Sequence, residues 1–442
     1  MKAKALLLFI SFAFVPTVQC FGQVNCNSST KLICQFPVSS GGLQAFAVGS
    51  SQFITTANGI AGTIDSSIAA QLTQLPIPSA TVGVVSLRQK AGEAPVPFDN
   101  LGPILTDRPD TVGKGHVFVG FSYQHFNFNA VDGVNLNALP VSFTFSQSSP
   151  FNPGDIQTYY ASETNNISFK VNQYVAVATM GVTKSTDVTI VAPFNSVSLG
   201  VVSSNYTAFF YDSATGQYVN VSPNPQPKVS TSGSANGIGD ITVGIKQLLL
   251  GGDGSRTAIA AGAAMRFPSG DALNFLGSGA VGGNIYGLFE YRGRVTPHLK
   301  LSYQWNRKSQ VMNLNEQPSI DLPGGLQYAA GADVKVVRPL TLAIDLLGNQ
   351  FANSPSFTQS TSQVCPATSS SGACILPPTS ISTGLFTTES TGNNTYTSTS
   401  VSAGLKWTPV RHVLVFANVL EQVNNVGLRS NLVPLFGIAF KR

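Results

Sequence analysis

The chain has four histidines, and histidine is the side chain best suited to acid–base chemistry near neutral pH. His116 and His125 fall at an odd spacing in one strand-like stretch, so they are expected on opposite faces. His298 and His412 lie at or beside predicted tight turns. The motifs of serine hydrolases, zinc peptidases, P-loop NTPases and dinucleotide-binding enzymes are absent from the sequence. The sequence therefore predicts no enzyme activity, no cofactor and no metal centre.

Four of the five cysteines form two close pairs, Cys26 with Cys34 and Cys365 with Cys374. In an exported chain, paired cysteines at short spacing predict small disulfide loops. A metal site is the alternative, but no histidine lies near either pair. We therefore expect two disulfides rather than a metal centre.

The start of the chain predicts a secretory signal peptide over residues 1–22. A basic beginning precedes an apolar run at residues 5–15, which is too short to span a membrane. Small residues at Cys20 and Gly22 place the cleavage near Gln23. A lipid-modified Cys20 is the alternative, and the large residue before it disfavours that reading.

Charged residues make up 10% of the chain, against about 25% in a typical soluble domain, while apolar residues make up 43%. This balance suits β-strands with one face in lipid and the other in a weakly polar lumen, although a secreted soluble β-protein is the alternative. After the predicted signal peptide, no apolar run reaches the roughly 18 residues of a membrane helix. The net charge of +5 is too small and too dispersed to predict nucleic-acid binding.

From Gly115 onward, short stretches of alternating apolar and polar residues are joined in turn by tight and by long connectors. The tight connectors are predicted at Thr183–Thr186, Gly251–Ser255, Thr296–His298, Val337–Pro339 and Thr408–Arg411. The long connectors are predicted near residues 130–165, 205–237, 268–280, 308–323, 353–395 and 422–430. Short turns on one side and long loops on the other are typical of outer-membrane barrels. The predicted fold class is therefore all-β: an antiparallel transmembrane β-barrel of about 12 strands over residues 115–442.

The alternation also predicts which side chains line the lumen. A charge at the lipid midplane costs about 2–4 kcal/mol, so charged residues within strands belong inside, and apolar faces meet lipid. The residues predicted to line the lumen are Asp240, Lys246, Arg266, Glu290, Arg292, Lys300, Asp333, Lys335, Asp345 and Lys406. Salt-bridged ladders that simply fill the lumen are favoured over a dedicated ring for ion selectivity.

Residues 23–114 differ from the barrel pattern and form a separate N-terminal segment. Ile60, Ile64, Ile68 and Leu72 recur every four residues and predict one short amphipathic helix. The segment is either a small periplasmic appendage or a plug inside the barrel. The plug is slightly favoured because the apolar stripe of the helix must be buried, although packing within the segment itself would also bury it.

From about residue 97 onward, the chain contains a series of characteristic blocks: Leu105–Gly115 with Gly120–Gln124, Gly237–Ile241, Pro268–Asp271 with Leu276–Gly279, Ser302–Asn306, Gly331–Asp333, and Ala417–Leu420 with Val433–Leu435. In these blocks the chain resembles a family of bacterial outer-membrane transporters named for the meta-cleavage pathway of phenol degradation. The resemblance implies a barrel that passes small, often aromatic or hydrophobic molecules, with no ligand set to carry over. Two features depart from the family pattern: Lys441 and Arg442 follow the terminal aromatic, and the Cys365/Cys374 loop looks like an addition.

The expected function is passive passage of small, hydrophobic or aromatic compounds across the bacterial outer membrane. The alternative is a non-conducting structural or surface-adhesion barrel that acts through its long extracellular loops. The expected partners are outer-membrane lipid, the barrel-assembly machinery during biogenesis and a small-molecule solute, with no nucleic acid.

Overall fold

The computed structural model describes residues 30–36, 62, 64–73, 75, 101, 103–148, 156–212, 217–222, 224–251, 255–309, 311, 321–337, 339–363, 385–410 and 412–441. The predicted signal peptide and three of the paired cysteines, Cys26, Cys365 and Cys374, lie outside these residues. Cys34 is buried and disulfide-bonded, and its pairing with Cys26 stays a prediction.

The strands, numbered in chain order, form one antiparallel sheet. They are β1 (Val117–Val131), β2 (Val134–Asn135), β3 (Leu139–Ser148), β4 (Ile156–Gly181), β5 (Thr186–Asp212), β6 (Gln217–Asn220), β7 (Val229–Ile238), β8 (Ile241–Leu250), β9 (Thr257–Phe267), β10 (Gly282–Tyr291), β11 (Val295–Asn306), β12 (Gly325–Val337), β13 (Leu340–Gln363), β14 (Leu385–Val410), β15 (Val413–Gln422), β16 (Leu428–Ser430) and β17 (Val433–Lys441). Short 3-10 turns occur at Leu32–Cys34, Leu136–Ala138 and Ala272–Asn274. An α-helix covers residues 64–72.

The sheet closes on itself because β1 pairs with β17, from Phe118 opposite Lys441 to Gln124 opposite Leu435. β7 and β8 count as one wall strand because both pair with β5. The wall then has twelve strands, and β2, β3, β6 and β16 extend its rim. The predicted barrel and its strand number are confirmed, as is the single helix of the N-terminal segment.

The connectors alternate as predicted between a short-turn end and a long-loop end. Two tight turns were placed wrongly. β14 runs to Val410 and β15 begins at Val413, so most of the predicted turn Thr408–Arg411 is strand. β10 ends at Tyr291 and β11 begins at Val295, so that turn is at residues 292–294 rather than Thr296–His298. Gly293 supplies the turn, and the Thr296 hydroxyl donates to its carbonyl. His298 therefore lies within a strand and points inward.

Four predicted long connectors, residues 130–165, 205–237, 353–395 and 422–430, are partly strand. β4, β13 and β14 are 26, 24 and 26 residues long, whereas about 9–11 residues span a membrane. These strands project beyond the bilayer at the long-loop end. The projecting ends are rich in serine and threonine, because a strand outside lipid needs no apolar face. The sequence therefore predicts loops there.

The faces of β8 to β14 follow the sequence pattern. Ile245, Leu301 and Ile344 point outward and are 50%, 50% and 60% exposed on the side that meets lipid. In β4, however, the expectation that the apolar face meets lipid is wrong. Ile167 and Phe169 are buried inside the barrel, where they join one apolar cluster with residues of the N-terminal segment. Among the described residues, no helix is long and apolar enough to cross a membrane.

The assignment of faces predicts the effect of a charge on the outer wall. Leu301→Arg, near the middle of β11, should lower the free energy of unfolding by about 2–4 kcal/mol, because the charge must enter lipid. Thr183→Arg, in an exposed turn of the short-turn end, is the matched control and should change little. Urea unfolding in phospholipid vesicles measures both. Equal stability of the two variants would contradict this assignment of the lipid face.

Candidate functional site

Part of the N-terminal segment lies inside the barrel. Residues 101 and 103–112, called the inner segment here, cross the lumen near the short-turn end and then lead into β1. Leu101, Ile104 and Leu105 are at most 8% exposed, and they pack with side chains of β1, β13, β15 and β17. A Cβ on Gly404 would lie 2.5 Å from Ile104 Cδ1, so the inner segment touches the wall closely there.

Four charged side chains fasten the inner segment to β10. Arg108 donates from Nε and from Nη2 to the two Glu290 carboxylate oxygens, at 3.1 and 2.9 Å. Asp110 lies 3.1 Å from Arg108 Nη2 and also accepts a hydrogen bond from Arg292. Arg292 lies 3.2 Å from Glu290. We call this group of Arg108, Asp110, Glu290 and Arg292 the inner latch; the Glu290 side chain is fully buried within it.

The inner segment is also held by β5 and β8. Lys246 donates to the Arg108 carbonyl at 2.8 Å and lies 3.5 Å from Asp107. The Val112 backbone N–H donates to both Asp187 carboxylate oxygens, at 3.1 and 2.9 Å. Backbone groups inside the lumen are thus paired with wall side chains, as buried polar groups require.

At the other end of the inner segment, Lys406 of β14 is fully buried and donates to the carbonyls of Leu101 and Pro103. The Thr341 hydroxyl accepts a hydrogen bond from the Leu101 N–H at 3.2 Å. The ammonium group of Lys406 is therefore bound to the inner segment and is not a free cation in the lumen.

Beside this contact lies a cluster of His298, Asp333 and Asp345, all at most 4% exposed. His298 Nε2 lies 2.5 Å from Asp345 Oδ1, which also accepts a hydrogen bond from the Thr106 hydroxyl at 3.3 Å. His298 Nδ1 is 3.5 Å from Asp333 Oδ2, an ion-pair distance without hydrogen-bond geometry. Within the described part of the chain, no group of three or more histidine, cysteine or acidic side chains is arranged to hold a metal ion.

At the long-loop end, the helix at residues 64–72 contacts the inner wall. Ile64 and Ile68 are buried in one cluster with Phe126 and Phe169. The end of the helix is fixed by Arg266, which donates to the Thr73 carbonyl at 3.2 Å. The apolar stripe of the helix is thus buried against the barrel.

A second contact at that end joins Lys31 to Asp271, with Nζ 2.7 Å from Oδ2. The Leu32 N–H donates to the Asn274 side chain at 3.1 Å. Burial alone would raise the pKa of Asp271, but the hydrogen bond and charge of Lys31, together with donors from Asn274 and Leu273, hold that pKa below its usual value. We call the Lys31–Asp271 pair the outer clasp.

The structure places the predicted lumen residues in two groups. Lys246, Glu290, Arg292, Asp333, Asp345 and Lys406 surround the inner segment, and Lys300 places its ammonium group 5.1 Å from the centre of the Tyr286 ring nearby. Asp240 and Arg266 lie 3.5 Å apart at the long-loop end, where Asp240 accepts hydrogen bonds from Gly270 and Ser278. Lys335 is half-buried near the end of β12. The role of all ten in permeation stays a prediction.

Sequence reasoning missed the partners of these residues. Asp107, Arg108 and Asp110 place three charges in four positions of an otherwise apolar, proline-containing stretch, which is a signal for buried pairing. His298 was missed because its turn was placed wrongly, although it is in phase with the inward-facing Lys300. No sequence signal shows that Asp187 caps the inner segment.

A closed twelve-stranded barrel with an apolar outer belt and a charged interior is a bacterial outer-membrane β-barrel. The family model described as "Putative MetA-pathway of phenol degradation" matches residues 161–337. This match confirms the resemblance seen in the sequence, and residues 161–337 are similar to that family. No curated protein matches the chain.

Several solved structures are similar to the chain at low identity. An outer membrane channel from Pseudomonas putida F1 is 12% identical, with a TM-score of 0.40, over 76% of this chain and 98% of that one. The CymD monoaromatic hydrocarbon channel is 10% identical, with a TM-score of 0.30, over 75% and 88%. A FadL homologue from Pseudomonas aeruginosa is 9% identical, with a TM-score of 0.27, over 76% and 91%.

The inner latch predicts a large effect for one truncation. Arg108→Ala leaves the buried Glu290 with Arg292 alone, and breaking a buried ion pair on one side typically costs about 3–5 kcal/mol. Urea unfolding of the refolded protein should show a loss of that order. Lys184→Ala, on an exposed turn at the same end of the barrel, is the control and should be neutral. An unchanged unfolding midpoint for Arg108→Ala would mean that the latch does not hold the inner segment.

The outer clasp predicts a dependence on pH. Because the folded pKa of Asp271 lies below its unfolded value, the contact contributes fully above the usual carboxyl range and is lost as pH falls through the folded pKa. Asp271→Asn should therefore raise hydrogen exchange at residues 31–36 at neutral pH, as acid does for the unmodified chain. Asp321→Asn, at an exposed carboxylate, is the control. Exchange that is equally slow in Asp271→Asn would rule out the clasp.

Proposed function

We propose that this barrel is a channel for passive passage of small, hydrophobic or aromatic compounds across the outer membrane. The proposal rests on one observation: near the inner segment, the lumen has an apolar sector and a charged sector. One sector, built by β1, β15 and β17, presents Phe118, Leu414, Phe416 and Leu435. The opposite sector, on β8 to β14, holds the charges.

Most of the charges around the inner segment are paired with one another or with that segment, so this part of the lumen presents little net field. Glu290 faces two arginines, and Lys406 faces carbonyl groups. A neutral solute would meet no strong electrostatic barrier there, while an ion would have to compete with pairs that are already formed. The apolar sector offers such a solute contacts that replace its contacts with membrane lipid.

The inner segment and the helix act as a plug in this proposal, as the sequence favoured for residues 23–114. The inner segment continues directly into β1, and the contacts of the described residues with the wall are hydrogen bonds, ion pairs and apolar packing. For a solute to pass, the inner segment must shift, while the wall of the barrel stays folded. Outer-membrane lipid and the assembly machinery remain the proposed partners of the barrel.

The proposal predicts uptake that depends on the plug. A porin-deficient Gram-negative host expressing the chain should take up toluene faster than the same host carrying the empty vector. Deletion of residues 23–112 should raise the uptake and the single-channel conductance of the refolded protein in planar bilayers. Deletion of residues 23–100 is the control: it keeps the inner segment and should raise both less.

Two outcomes would contradict this function. Uptake no faster than the empty vector, from a barrel shown to be folded and surface-exposed, would mean that the chain does not pass such solutes. Loss of cell-surface binding on removal of residues 353–395, which include the projecting ends of β13 and β14, together with absent flux, would favour the adhesion barrel instead.

A further inference from the structure

Asn418 of β15 is a buried amide without a partner. The residue is 3% exposed, and neither its side-chain nitrogen nor its side-chain oxygen makes a hydrogen bond. Buried polar groups are nearly always paired, so each exception requires an explanation. A leucine at this position would pack into the same surroundings without the cost of desolvating an amide.

The surroundings of Asn418 are apolar and partly aromatic. It pairs with Gly404 on β14 and with Leu435 on β17. Two residues along β15, the end of the Phe416 ring lies close to Gly437, since a Cβ on that glycine would collide with the ring. Across Gly437 lies Ser122 of β1, which is 8% exposed and whose hydroxyl also lacks a partner.

The inner segment covers this place at present. A Cβ on Gly404 would lie 2.5 Å from Ile104 Cδ1 and 3.0 Å from Asn418 Cβ, so the side chains of Ile104 and Asn418 lie near each other. Ile104 and Leu101 belong to the same apolar cluster as Phe416 and Leu435. The inner segment thus supplies apolar contact to this wall and leaves the amide unsatisfied.

We propose that Asn418 is the hydrogen-bonding residue of a site for small, neutral, hydroxylated aromatic molecules, with Phe416 and Leu435 holding the ring and Ser122 within the same site. This inference rests on the proposed function and names the solute class that the apolar sector selects. A hydroxyl group is both a donor and an acceptor, so it pairs with the oxygen and the nitrogen of one amide. The remainder of the ligand must be apolar to match the surrounding side chains.

The charges nearby favour a neutral ligand over an anion. The closest cation along the wall, Lys406, already donates to two carbonyls of the inner segment. On the next strand, Ser402 pairs with Asp345, whose carboxylate would repel an anionic solute. A benzoate-like solute is therefore a poor match, whereas a phenol or a cresol fits.

The test measures binding of p-cresol, toluene and benzoate to the purified, refolded full chain by calorimetry, and uptake of the same solutes by a porin-deficient host. In the unmodified chain p-cresol should bind more tightly than toluene, and benzoate should bind weakly. Asn418→Leu should lower the cresol-to-toluene ratio about tenfold, which corresponds to roughly 1.4 kcal/mol for one hydrogen bond. Asn418→Leu should also unfold at a higher urea concentration than the unmodified chain, which a merely structural amide would not produce.

Asn284→Leu is the matched control, because it makes the same change at an inward-facing position of β10 outside this cluster. An equal loss of cresol preference in both variants would assign selectivity to general lumen polarity and overturn the site. A cresol-to-toluene ratio that Asn418→Leu leaves unchanged, with toluene uptake still above the empty vector, would overturn the site and leave the proposed channel intact. Tighter binding of benzoate than of p-cresol would replace the neutral ligand with an anion and overturn the inference. Uptake of neither solute would defeat the channel itself.

Discussion

A sheet within lipid can leave no unpaired edge, because no water is present to bond the free N–H and C=O groups. In this protein the antiparallel pairing of β1 with β17 meets that constraint. The side chains of the wall can fill the interior of an eight-stranded barrel. The interior of this twelve-stranded barrel is wider, so its wall side chains alone leave space inside. The interior must therefore hold water, solute or protein. Here the inner segment and the helix occupy part of it, and the reversed apolar face of β4 follows from that occupation.

The charged residues around the inner segment act through position more than through net attraction. Taking Arg108 and Glu290 out of water costs several kcal/mol per ion, and their mutual attraction repays most of that cost only with good geometry. The bidentate contact of 2.9 and 3.1 Å provides that geometry. A shifted position of the inner segment would leave a buried charge unpaired, and an unpaired buried charge costs much more free energy than a buried ion pair. The ion pairs thus specify one position for the inner segment without binding it irreversibly.

The wall of the barrel was predictable from sequence because period-two alternation and the rhythm of short and long connectors are local signals. Asp333 in β12 shows the same alternation, since its neighbours Ala332 and Val334 are apolar. The surroundings of the apolar face of β4 were predicted wrongly, because this face meets another segment of the chain rather than lipid. His298 required the position of one turn to within two residues, which is finer than sequence patterns resolve. Contacts such as Val112 with Asp187 join positions 75 residues apart and leave no local trace.

The covalent tether of the inner segment limits what any solute can achieve in the lumen. A segment joined to β1 by a few residues competes at an effective concentration on the order of millimolar or higher. A solute reaching the apolar sector must displace contacts such as those of Ile104, and it regains only part of that free energy from Phe416 and Leu435. Net occupancy by the solute is therefore weak and short-lived, since the segment returns to the same seat. Weak occupancy suits transit, because a solute bound tightly at one site would leave too slowly for flux across the membrane. The amide of Asn418 is one of the buried groups that the segment leaves unsatisfied, and in the proposed site a hydroxylated solute would pair with it.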